Sequence, residues 1–380
     1  MTDSASPSTP IPRRTIVKGA AWSVPIVAAA VAVPAYAASQ NCAGTATVSP
    51  NLYDRGVLTV TLPACARTVS YVVAGGSGGG GVGARRGSMV TGTLSVSGGE
   101  TLTLVAGAPG MNREEGLPSR ALGYGDGGLG TSYYSVDQGK DLFAGGGGGA
   151  GSALLLGSDY ASGTPLIVAG GGGGSGWATA WGNDDYWFGG RAGYGGEGEP
   201  NQDIAEDAAM NAQPNPPGEM VVPLSEFGYH GMYATHTAAG AGGLVSLSGQ
   251  GAGYPQPAGL PGGDGVGRRG GDGPATDLRA DPTQENVRYG GGGGGGGGWF
   301  GGGAGATLWM AAQSGAAGGA GGGSGSNYYG GAAPGAPATA GTVSIPYPSN
   351  IEVSSVPEEP GVIYKGFPGR FPGIVTISWS

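Results

Sequence analysis

Charge is scarce in this chain. Asp, Glu, Lys and Arg supply 11% of its 380 residues, less than half the roughly 25% of an average soluble domain. Histidine and cysteine are scarcer, at two each, too few for a Cys/His zinc or iron–sulfur centre. His230 and His236 stand six apart in His-Gly-Met-Tyr-Ala-Thr-His without further ligands nearby, so they read as polar loop residues. No metal and no cofactor is expected. Carboxylates such as Glu114-Glu115, Asp184-Asp185, Glu206-Asp207 and Glu358-Glu359 are dispersed and read as solvated loop charges, so no catalytic residue is assigned. Helical periodicity is nearly missing too, with residues 204–210 the one short candidate; a helical or α/β architecture is thereby excluded.

Long apolar runs are confined to the beginning. Arg13-Arg14-Thr15-Ile16-Val17-Lys18 leads into the uncharged residues 19–33, and Ala35-Tyr36-Ala37 then supplies a small-x-small cleavage pattern. Basic region, short apolar core and cleavage site together make residues 1–37 a secretory signal peptide. The apolar stretch is shorter than the ~20 residues that span a bilayer, and Pro25 breaks it, so no permanent membrane span is expected after processing. Arg13, Arg14 and Lys18 resemble the twin-arginine export signal, although Pro12 stands where that signal usually has Ser or Thr. The ordinary Sec route stays open. The expected location is secreted or in the extracellular envelope of a bacterium.

Without residues 1–37 the chain keeps 14 basic and 25 acidic residues, a net charge of −11. A sparse, acidic surface argues against nucleic acid and anionic membranes as partners. Cys42 and Cys65, an even pair in an exported chain, read as one disulfide. It would close a loop of 23 residues and stabilise by about 3 kcal/mol.

What the chain has in excess is glycine, 89 residues, more than three times the usual ~7%. Each ordered glycine costs roughly 0.5–1 kcal/mol more than alanine because its unfolded backbone is freer. The sum is several tens of kcal/mol, against a typical net stability of ~5–15. Either the tracts stay disordered or a dedicated hydrogen-bonded packing offsets that cost. Their placement favours order. Val69-Ser70-Tyr71-Val72-Val73-Ala74, Asp141-Leu142-Phe143-Ala144 and Leu166-Ile167-Val168-Ala169 each run directly into a glycine tract. Residues 56–62, 93–96 and 101–105 also read as strands, the last two as a hairpin around Ser97-Gly98-Gly99-Glu100. Residues 341–347 and 373–379 look like two versions of one closing strand. Nine consecutive glycines fill 290–298. In the polyproline-II conformation they would extend about 28 Å, with no internal hydrogen bonds, so their amides and carbonyls need partners on neighbouring segments.

Strand, Pro63-Ala64, second strand and glycine run over 57–81 open a recurring order. It continues through 92–105, the Val168-Ala169 glycine run, the block 290–305 and the closing segment 341–347. This order resembles a class of glycine-rich domain found in the extracellular region of anaplastic lymphoma kinase-type receptors, in the tips of some phage tail adhesins and in bacterial secreted proteins. The resemblance covers about 55–347. It implies an all-β fold: a β-sandwich-like core with bundled polyglycine II helices and long irregular loops, serving extracellular recognition or structure. The insert over 177–239 and the tail beyond Tyr347 depart from the class. The resulting division is a signal peptide at 1–37, a glycine-rich domain at 38–347 and a C-terminal extension at 348–380.

Glycine-rich motifs carry little chemistry here. G-x-G-x-x-G arises by chance at this composition, and the Gly-Asp-Gly triplets around Asp126, Asp264 and Asp272 read as turns rather than calcium loops. The most suggestive cluster is aromatic: Trp177, Trp181, Tyr186, Trp187, Phe188 and Tyr194, flanked by Asn183, Asp184 and Asp185. Indole faces next to polar groups suit sugar rings, and the competing reading is packing against the side-chain-free glycine segments. Trp299, Phe300, Trp309, Tyr328 and Tyr329 border glycine tracts and read as packing. The expected function is a non-enzymatic, adhesin-like scaffold presenting loops to a cell-surface glycan or protein, or supporting the envelope. A polysaccharide hydrolase assembled by the fold, or a hydrated disordered matrix protein, is the alternative.

Overall fold

The computed structural model describes residues 42–51, 54–80, 86–111, 120–135, 140–143, 145–176, 178–180, 231–244, 258–274, 287–311, 316–330, 348–355, 363–364, 367–368 and 371–380. Among these, all regular structure is β. The first of two main sheets contains β1 (Gly44–Val48), β3 (Thr68–Ala74), β4 (Ser88–Ser95), β15 (Pro348–Ser355) and β18 (Ile374–Trp379), in the order β1-β18-β3-β4-β15. The second contains β2 (Gly56–Thr61), β5 (Thr101–Ala106), β8 (Ser152–Leu156) and β9 (Thr164–Ala169), in the order β2-β5-β8-β9. Every pairing in both is antiparallel.

Period-two alternation creates the inward faces. In Thr68-Val69-Ser70-Tyr71-Val72-Val73, residues 69, 71 and 73 are buried while 68 and 70 are exposed. Val69, Tyr71, Val73, Val90, Leu94, Val375 and Ile377 of the first sheet join Leu102, Leu104, Leu154 and Ile167 of the second in one buried cluster. β18 fills the centre of its sheet, with Ile374–Trp379 paired to Ala74–Val69 on one side and Val375–Trp379 to Val48–Gly44 on the other.

The expected hairpin over 93–105 is not formed. β4 pairs with β3 and β15, whereas β5 pairs with β2 and β8, so the turn at 97–100 crosses between sheets. Both strands have one buried face, and alternation alone does not say which partner each will take. Gly98 and Gly99 make the crossing at φ of 88° and 87°, a region open to glycine, and the Ser97 amide donates to Glu100 Oε1 at 2.6 Å. The expected strands at 56–62, 69–74, 141–144, 166–169 and 373–379 correspond to β2, β3, β7 (Lys140–Phe143), β9 and β18. The segments at 204–210 and 341–347 lie outside the described residues.

Glycine segments leave from one end of both sheets: after Ala74, Ala106 and Ala169, and before Ser152. Their backbones bond to one another in a period of three. Gly146 and Gly149 donate to Ser175 and Gly172, Gly147 and Ala150 to Met111 and Ala108, and Gly148 and Gly151 to Gly128 and Gly125. Residues 293–298 repeat the rotation. Gly293 and Gly296 donate to Ala320 and Gly323, Gly294 and Gly297 to Gly146 and Gly149, and Gly295 and Gly298 to Gly271 and Arg268. These twelve bonds span 2.8–3.0 Å, the ordinary range for amide to carbonyl. Successive amides thus point to three different neighbours, unlike a β-strand, whose amides alternate between two sides.

Short ribbons continue the segments at their far ends. Residues 170–176 and 319–326 lead to β10 (Ala178–Ala180) and β14 (Ala316–Gly318), which pair with each other. Likewise β12 (Val287–Gly290) and β13 (Thr307–Ala311) extend 291–298 and 301–306, with β11 (Ala258–Leu260) on the other edge of β13. β6 (Ser132–Ser135) and β7 extend 121–131 and 145–151. Three-neighbour bonding gives way to two-neighbour ladders where residues with larger side chains take over from glycine. One more small pair, β16 (Ile363–Tyr364) with β17 (Phe367–Pro368), completes the described strands.

Close approach makes most tract positions intolerant of even a methyl group. A Cβ on Gly148 would collide with the Gly295 carbonyl, whereas one on Gly147 would stand 3.2 Å from the Met111 amide nitrogen. Gly148→Ala is therefore expected to destabilise by about 2–3 kcal/mol through overpacking. For Gly147→Ala a smaller clash is partly offset by the ~0.4–1 kcal/mol gained from a stiffer unfolded chain. Urea unfolding of both variants checks this: equal midpoints would contradict the packing.

Candidate recognition surface

The sequence-derived binding residues Trp177, Trp181, Tyr186, Trp187, Phe188 and Tyr194 lie outside the described residues, as do the export residues Arg13, Arg14, Lys18, Ala35 and Ala37. What is described is where the aromatic insert is attached. The described chain continues into the 177–239 insert through β10 as far as Ala180 and resumes at Gly231, whose amide donates to the Gly321 carbonyl. Both attachment points belong to the end of the glycine segments remote from the two sheets. The Cys42–Cys65 disulfide is formed, with an S–S distance of 2.03 Å. It lies at the opposite extreme, beside the start of β3 and the end of β18.

The second aromatic set does pack. Trp299 stacks on Tyr328 with ring centroids 4.2 Å apart and planes inclined at 21°. Phe300 meets Trp299 edge-on. Together with Tyr124, the stacked pair covers Val105, Ala153, Leu155 and Val168 on the outer face of the second sheet. The guanidinium of Arg268 lies 4.2 Å from the Tyr124 ring centroid. Sequence reasoning missed Tyr124, an isolated aromatic in Gly-Tyr-Gly-Asp-Gly. Tyr329 instead enters the core between the sheets. There its hydroxyl accepts from Asn327 Nδ2 at 3.0 Å, while Asn327 Oδ1 accepts from Gly170 and from the Ser88 hydroxyl. Trp309 lies in β13, opposite Ala258 and Tyr289.

Each Gly-Asp-Gly aspartate accepts backbone hydrogen bonds, Asp126 within its own turn and the other two from separate segments. Asp126 accepts from the Gly123 amide at 3.1 Å and Asp264 from the Gly242 amide at 2.7 Å. Asp272 takes both arms of the Arg120 fork at 2.5 Å and the Leu129 amide at 2.9 Å. Among the described residues, no group of three or more His, Cys, Asp and Glu is placed to hold a metal ion. His236 is exposed in the 235–238 turn.

The shifted phenols all move upward. Burial raises the hydroxyls of Tyr71, Tyr124 and Tyr329 above the ordinary value of 10.0; Tyr329 adds to the rise at Tyr71, while Arg268 opposes it at Tyr124 and Asn327 at Tyr329. None of the three serves as a base near neutrality. Burial would also raise the Asp272 carboxyl, but the Arg120 fork, the Leu129 amide and the Arg269 charge outweigh it and hold the group below 3.8. A lowered folded value means that the ionised group stabilises the fold above the unfolded value, and that this contribution is lost as pH falls through the folded one. Arg120→Ala is expected to cost about 1 kcal/mol at pH 7, the partly exposed pair being screened. It should also remove part of the stability loss as pH falls below the ordinary carboxylate range, and acid unfolding curves of variant and parent test both effects. No protein-family model matches the chain, and no curated protein matches it.

Proposed function

We propose that the protein is an exported, non-enzymatic scaffold. In this reading the two sheets form a β-sandwich, the glycine segments form a bundle of polyglycine II helices, and the bundle carries the aromatic insert as a recognition loop for a cell-surface glycan or protein. The observation that carries the reading is the threefold rotation of hydrogen bonds over 146–151 and 293–298. A polyproline-II backbone has three residues per turn and would direct its amides in that way. Backbone satisfaction of this kind argues against the hydrated matrix alternative, because each lateral bond offsets the entropy of ordering glycine.

Export is supported by the n-region, apolar stretch and cleavage pattern of 1–37. The formed disulfide is compatible with an oxidising compartment, and no helix among the described residues is long and apolar enough to cross a membrane. The attachment of the insert at Ala180 and Gly231, remote from the sheets, supports a display role.

The deciding experiment incubates the protein with a panel of envelope polysaccharides and records both retention and soluble product. Retention without product is expected, weakened at least tenfold by Trp187→Ala with the melting temperature unchanged. Release of oligosaccharides would overturn the scaffold in favour of a hydrolase. Absence of any retention would remove the glycan as ligand.

A further inference from the structure

β1 is the most weakly packed strand of the first sheet for which side-chain burial is described throughout. None of its five residues is fully buried, and its inward positions are Gly44, Ala46 and Val48. Ala46 and Val48 only border the core cluster. Its outward hydroxyls, Thr45 and Thr47, bond at 3.0 Å to Ser378 and Thr376 in exposed positions, where such bonds compete with water. β18 is secured independently of β1. It has a six-pair ladder to β3, full burial of Val375 and Ile377, and an anchored end, where the Ser380 carbonyl accepts from the Arg67 and Thr68 amides. Beyond Val48 the chain is fixed again, since Pro50 is buried and Gly56 lies against the Ser49 carbonyl. The weak stretch is therefore β1 itself, and Cys42, two residues before it, is tied to Cys65 in the turn between β2 and β3.

We propose that the Cys42–Cys65 disulfide is a redox latch for β1: in the reduced protein both sheets and the glycine segments stand folded while residues 42–48 are undocked and the edge of β18 is open. Closing the latch takes two protons and two electrons from the Cys42 and Cys65 thiols and passes them to a disulfide-bearing oxidant, which leaves as a dithiol. A dithiol reductant reverses the exchange, and both half-cystines are partly exposed to such a reagent. On the export reading of residues 1–37, the latch closes when the chain meets an oxidising compartment. The latch itself is independent of that reading and is measured on the purified protein.

Hydrogen exchange, followed by mass spectrometry with and without dithiothreitol, reads the latch directly. Reduction should speed exchange over 44–48, and at the alternate amides of 375–379 that face β1, on the order of a hundredfold, the effect of releasing a loop of this size, while 69–73, 291–298 and the β18 amides that face β3 stay slow. Unchanged protection of 44–48 would overturn the proposal. So would loss of protection in all four segments together, which would make the bond a staple for the whole fold. Ala46→Asp supplies an independent check. A charge at this partly buried, core-facing position should lower the melting temperature of the oxidised protein and leave that of the reduced protein unchanged; equal losses in both states would mean that β1 stays docked without the bond.

Discussion

A glycine amide that finds a carbonyl on a neighbouring segment is the interaction on which this structure rests. One such bond contributes a net ~0.5–1.5 kcal/mol, comparable with the ~0.5–1 kcal/mol that separates glycine from alanine in ordering cost. The match is close, so order requires nearly every amide in a tract to be used. The rotation through three neighbours achieves this for residues 146–151 and 293–298, because each segment is surrounded instead of merely flanked. Ala108, Ala150, Ala304 and Ala320, all buried, occupy positions where the lattice leaves room for one methyl.

The sheets play a different part. Their shared core supplies the hydrophobic stabilisation that the glycine segments lack, and their common end sets the spacing at which those segments begin. Polar ties then fix the segments that do not emerge directly from a core strand. Asp272 holds residues 120–131 to residues 271–273 through Arg120 and Leu129, and Ser77 exchanges two bonds with Phe371. Aromatic side chains gather where glycine gives way to bulkier residues, as Trp299 and Tyr328 do against the second sheet.

Much of this was legible in the sequence because strand alternation is local. The strands β2, β3 and β18 were readable from apolar residues at every second position, β9 from its short continuous apolar run before glycine, and the disulfide from the count of two cysteines. Strand partners were not, since the alternation in 93–105 fits a hairpin and a crossing turn equally well. Missed among the strands of the two main sheets were β1, whose Gly-Thr-Ala-Thr-Val has no large side chain, β8, whose Ser-Ala-Leu-Leu-Leu does not alternate, and β15, whose Pro348 and Asn350 resemble loop chemistry. The packing of Trp299 and Tyr328 was anticipated from their tract borders, while the role of Tyr124 depends on a contact with Arg268 that lies far away in sequence.

The collision of a Cβ on Gly148 with the Gly295 carbonyl has a genetic counterpart. Every glycine codon begins with two guanines, and any single-base change at either position replaces glycine with a residue that carries a side chain or ends the chain. Only the third base is free to drift. A glycine lattice with such close approaches is therefore brittle under point mutation, and selection on it acts largely by discarding. Variation that survives is channelled into the connecting segments, where side chains do not meet a neighbouring backbone.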